Sequence, residues 1–145
     1  MKRYLNITTT FLFALLSLTQ LTSCSKDTSG AEINLTYQML SDKTWFLDYS
    51  ITGTSKRTYL GQSTYFVNFL KNDSTNDSDG LNGRYKVEKI GNILQIHVTA
   101  KTSSVSSVEY EIIYNIESIG RRNLILYFTL PGETAPTKRY YSTKN

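Results

Sequence analysis

The chain contains one cysteine, one histidine and two prolines in 145 residues. A single Cys forbids an internal disulfide and any cysteine-based zinc site. His97, with no second His or Cys beside it, gives a transition metal too few ligands, and it falls on the polar face of its strand. No Ser-centred nucleophile elbow, phosphate-cradling loop or His-Glu-x-x-His occurs, so no enzyme activity and no cofactor are expected. Acidic and basic residues nearly balance. The net charge is +4, and half of that excess is Lys2 and Arg3. A nucleic-acid partner is therefore not expected. No apolar run approaches the roughly 20 residues that cross a bilayer as a helix.

A short apolar run is present, from Phe11 to Leu18. It comes after Lys2 and Arg3 and precedes small residues, the build of a secretory signal. It ends at Leu21-Thr22-Ser23-Cys24, which resembles the lipobox of bacterial lipoproteins, with Leu21, Ser23 and Cys24 in the matching places. The resemblance implies that residues 1–23 are removed and that Cys24 is lipidated, which would also explain a lone Cys in an exported domain. Ser25, rather than Asp, after the Cys implies the outer membrane, with the periplasmic side favoured over the cell surface. Residues 24–34 are small and polar and read as a flexible tether. Residues 35–145 make one domain of ordinary size.

Eleven Tyr and six Phe, with abundant Thr and Ser, suit strands. Leu35 to Leu40 reads as a short helical turn. Trp45 to Thr52 alternates, with Trp45, Leu47, Tyr49 and Ile51 on one face. Thr58 to Leu70 reads as a strand that bends at Gly61. Asn72 to Gly80 reads as an acidic loop. Its Asp73, Asp77 and Asp79 suggest calcium, but the EF-hand spacing fails at Thr75 and the closing position is Arg84, so no metal is expected. Further strands are expected at Arg84–Lys89, Leu94–Lys101, Val108–Glu117, Leu124–Leu130 and Lys138–Ser142, joined by turns such as Gly91-Asn92 and Gly120-Arg121-Arg122.

Some seven antiparallel strands with short local connections predict an all-β fold, an up-and-down barrel or a β-sandwich. Lys43-Thr44-Trp45-Phe46-Leu47 resembles the opening of lipocalin-like domains. Tyr65-Phe66-Val67-Asn68-Phe69, an acidic turn and Gly83-Arg84-Tyr85 resemble their second hairpin. Asp42 and Lys43 stand where lipocalins proper carry a Gly, which points to the broader lipocalin-like lipoproteins of the bacterial envelope. The resemblance implies a barrel of about seven to eight strands plugged by Trp45. The eighth strand would be Ile33 to Tyr37, or the barrel would be open.

In such a barrel successive turns alternate between ends. That count places Lys56, Arg57, Lys89, Arg121 and Arg122 on one rim, a basic mouth facing away from the anchoring membrane. Asp73, Asp77, Asp79 and Glu133 fall on the other. The expected function is binding of a small hydrophobic or amphipathic ligand. The alternative is a filled barrel serving as a structural or adaptor subunit of an envelope complex, with its protein partner unspecified.

Overall fold

The computed structural model describes residues 28–102, 109–129 and 132–144. The signal and lipobox reading, residues 1–23 and Cys24, lies outside them. Ala31–Asn145 forms a compact unit with one hydrophobic core. Helix α1 (Thr28–Leu40) leads into nine strand segments: β1 (Lys43–Thr52), β2 (Ser55–Thr58), β3 (Phe66–Phe69), β4 (Ser74–Asp77), β5 (Leu81–Ile90), β6 (Ile93–Thr102), β7 (Glu109–Ile119), β8 (Asn123–Phe128) and β9 (Thr137–Thr143). Every pairing is antiparallel, β3 to β9 follow one another in chain order, β1 pairs with both β2 and β3, and β9 pairs back onto β1. The sheet is thus closed, and the sandwich alternative falls away.

β2 and β3 share one position beside β1. Tyr49 pairs with Thr58 and Phe46 with Phe66, so the strand is broken by an excursion. The Tyr59 amide donates to the Asp48 carbonyl at 2.7 Å and the Leu47 amide to the Tyr65 carbonyl at 2.9 Å. The intervening residues leave the sheet. Gly61, with φ +83°, takes a left-handed turn there that other residues resist. Counted by position, the fold is a closed antiparallel eight-stranded up-and-down barrel, consistent with lipocalin-like architecture.

The eighth strand is β4, inside the stretch expected to be a loop. Ser-Thr-Asn-Asp has no apolar alternation to announce it. It is held by its ladders to β3 and β5, by the Asn68–Asn76 side-chain bond of 2.8 Å and by the Thr75 hydroxyl donating to the Asn68 carbonyl at 2.8 Å. Residues Ile33 to Tyr37 are helical instead. Residues 28–34, expected within the tether, form the first half of α1. The helix is anchored by residues spaced i, i+3, i+4, i+7. Thr36 and Leu40 are buried, and Ile33 and Tyr37 pack on the core.

α1 lies at the end of the barrel where β1 begins, the helix end. The Trp45 indole nitrogen donates to the Leu40 carbonyl at 3.0 Å. The Tyr37 hydroxyl donates to the Asp73 carboxylate and lies 2.7 Å from the Lys71 carbonyl, sharing its one proton between them, and Lys89 pairs with Glu32 at 2.6 Å. Trp45, Phe69, Ile96 and Leu124 are fully buried behind the helix. Tyr85 stacks on Tyr37 at 5.5 Å and meets Phe69 edge-on at 5.0 Å. This half of the barrel is filled.

A bulge at Asp48 shifts β1 against β9. Trp45 and Leu47 face inward as expected, but the shift reverses the phase beyond it. Tyr49 stacks on Tyr140 at 4.1 Å, on the wall's outer side. Thr52 turns inward, its hydroxyl 2.8 Å from that of Thr137. The alternation expected to carry Tyr49 and Ile51 inside therefore fails at Asp48. On β5, a side chain at Gly83 would meet Ala100 Cα and Cβ at 2.7 Å, so only Gly lets β5 cross β6 there.

Candidate ligand cavity

The far half of the barrel holds a cavity of about 300 Å³. Its floor is apolar, with Leu47, Phe69, Val98 and Leu126, and backs onto the filled half. Its upper wall is polar. Thr75 and Asp77 enter from β4, Tyr114 from β7, and Arg139 and Tyr141 from β9; Arg57, Tyr59 and Tyr65 complete it. Period-two geometry brings them together. Arg139 shares the inward face of β9 with Tyr141 and Thr137, and sits across from Leu126 on β8.

Arg139 is a cation inside a barrel. Its Cζ lies 5.0 Å from the centre of the Phe128 ring, and Nη1 donates to the Tyr141 hydroxyl at 3.5 Å. Burial works against its charge, but the Tyr141 and Tyr114 hydroxyls and Asp79 outweigh that and hold its pKa above the usual arginine value. Burial likewise pushes the Tyr141 and Tyr114 hydroxyls up, so both are neutral donors. Asp77 is half-buried. Desolvation raises its pKa above the ordinary carboxylate range, aided by Asp79 and opposed by Arg139 and by the Leu81 and Asp79 amides. Those amides donate to Asp77 Oδ1 at 3.0 and 2.9 Å. The pocket thus offers an apolar floor, neutral hydroxyls, cations and carboxylates within one small space.

The five residues expected to form a basic mouth are not on one rim. Lys56 and Arg57 lie on β2 at the far end, with Lys56 Nζ 4.1 Å over the outward Tyr49 ring. Lys89 sits at the helix end of β5, bound to Glu32. Arg121 and Arg122 lie in the β7–β8 turn, also at the helix end. The physical reason is parity: β4 adds one strand, and every later turn changes ends. The acidic set splits in the same way. Asp73 falls at the helix end, and Asp77, Asp79 and Glu133 at the far end, so the three aspartates weighed for calcium do not meet.

Trp45 lies fully buried at the helix end, against Leu40. His97 is buried on the outer wall, its Nε2 3.0 Å from Gln95 Oε1 and 3.5 Å from Glu88, and its Nδ1 3.6 Å from Glu111. Among the described residues no cluster of His, Cys, Asp and Glu is built to hold a metal. Arg139, Tyr114 and Tyr141 escaped sequence reasoning as site residues. The one available signal was a charge on the inward face of a strand, at Arg139 two residues before Tyr141.

No protein-family model matches the chain, and no curated protein or solved structure matches it. Among the described residues no helix is long and apolar enough to cross a membrane.

Proposed function

We propose that the chain is a lipid-anchored envelope lipoprotein, held to the outer membrane through Cys24, whose barrel binds a small amphipathic ligand. The observation that carries the binding reading is the cavity between a filled floor and a polar upper wall. Its volume, about 300 Å³, stands at the small end of ligand sites. It suits one ring system or a short chain with a polar head, not a two-chain lipid. The head would meet Arg139 and the tyrosine hydroxyls, and the body would sit on Leu47, Val98 and Leu126.

Anilinonaphthalene sulfonate, an anionic amphiphile, is a suitable probe. Saturable one-site fluorescence is expected from Ala31–Asn145, and Arg139→Met should weaken it about tenfold or more, the worth of a charge-assisted bond. Arg121→Glu should leave it intact, being at the other end. Non-saturable binding, or binding indifferent to Arg139, would sink the reading. The anchor is tested by the mass of the mature N-terminus. Acyl mass on Cys24 is expected, and Cys24→Ser should block processing.

A second reading, an adaptor in an envelope complex, draws on the outer wall. There the stacked Tyr49 and Tyr140, with Lys56 above them, border a shallow groove that includes Ile51, Tyr127 and Pro136.

A further inference from the structure

The two ends of the barrel differ in surface as well as in filling. At the helix end Lys43, Arg121, Arg122 and Lys144 gather around Phe46 in one shallow groove. Lys43 Nζ donates to the Arg121 carbonyl at 3.2 Å, and Lys144 Nζ sits 4.6 Å over the Phe46 ring. Among the described residues none of the four forms an ion pair. Nearby carboxylates are taken: Asp42 by Lys71, Glu32 by Lys89 and Asp73 by Tyr37. On the barrel wall, by contrast, Lys86, Lys101 and Lys138 are paired with Glu88, Glu109 and Glu117.

A second observation is independent of charge. Leu35 of α1 is 53% exposed, and Ile90 and Ile93, flanking the Gly91-Asn92 turn, are 56% and 43% exposed. Leu35 belongs to the helix at this end, and Ile90 and Ile93 flank a turn at it on the outward face of β5 and β6. Cations around an aromatic ring on one side of this end, with apolar tips on the other elements of the same end, match a bilayer interface, where ammonium and guanidinium groups meet phosphates and apolar groups enter below them.

We propose that the helix end is a membrane-contact surface that rests on an anionic bilayer. A bilayer fits better than a shaped partner because the apolar tips project from separate elements rather than lining a groove. The covalent chain agrees: from Cys24 to the start of α1 at Thr28 it can span at most about 15 Å, and α1 lies at this end. The proposal extends the anchoring reading but does not depend on acylation. The compact Ala31–Asn145 unit, which lacks Cys24, should bind by itself, so failure here and failure of the Cys24 reading are separate results.

The test is co-sedimentation of Ala31–Asn145 with vesicles of phosphatidylcholine, alone or with phosphatidylglycerol added. Binding is expected only to the second, and weakening with salt as the screening length shrinks. Arg121→Glu with Arg122→Glu should lower the partition tenfold or more, since each cation at an anionic surface is worth about fivefold. Lys56→Glu with Lys101→Glu makes the same charge change at the far end, outside the cavity lining, and should leave binding intact. Ile90→Ser with Ile93→Ser should reduce the binding that survives high salt. Circular dichroism checks that each variant is folded. No binding, equal binding to both vesicles, or an equal loss from the far-end pair would overturn the proposal.

Discussion

The helix end and the far half of this barrel are built from the same eight strand positions, yet they differ in kind. Behind α1, Trp45, Phe69, Tyr85 and Leu124 close the interior. In the far half Arg139, Asp77 and Tyr114 replace apolar fillers and leave about 300 Å³. Dense packing and the polar cavity are thus separated along the barrel axis. A filled half can supply the core energy, which frees the other half to keep polar groups that packing alone would reject.

The division between halves breaks most readily at Trp45. Trp45→Ala removes a fully buried ring and the bond to Leu40, and should cost about 3–5 kcal/mol by urea unfolding. A cost below about 1 kcal/mol would mean that the helix end is not the stabilising half. Arg139→Met in the far half should change stability by about 1 kcal/mol or less, because the lost bond to Tyr141 and contact with the Phe128 ring are offset by a cheaper apolar burial, while probe binding falls. If Arg139→Met unfolds the protein instead, the division between halves is wrong.

Asp77 sharpens the contrast through pH. Its folded pKa lies above the ordinary carboxylate value, so the folded state binds the proton more tightly than the unfolded chain. Its contribution to stability is present below the ordinary pKa and is lost as pH rises through the folded one. Asp77→Asn keeps an acceptor for the Asp79 and Leu81 amides. It should flatten that loss and raise the melting temperature near neutral pH, as thermal melts at stepped pH would reveal. The smallest effect belongs to Lys71→Ala at the helix end. Its ion pair with Asp42 is exposed on both sides, so the melting temperature should not move measurably. A clear drop would make the surface around α1 part of the stabilising core.

The inward faces of β5 and β6 were legible because they alternate. Tyr85 and Val87, then Ile96, Val98 and Ala100, point inside as period two requires. Gly61 was legible as an interruption. β4 was not, because its inward residues are Thr75 and Asp77, and a strand without an apolar face looks like a turn. The reversal at Asp48 was hidden as well. A bulge depends on how two strands meet, and nothing in Leu47-Asp48-Tyr49 specifies the register against Tyr140.

The sequence by itself determined a chain of short strands joined by local turns, and hence an up-and-down antiparallel β fold. Period-two burial and sequential hairpins are local properties. The tertiary structure alone decided which end each turn occupies, and with it the place of every charge on the rims. End assignment depends on the parity of the strand count, and β4 owes its existence to the Asn68–Asn76 bond and the ladders of β3 and β5, contacts that form only once its neighbours are in place.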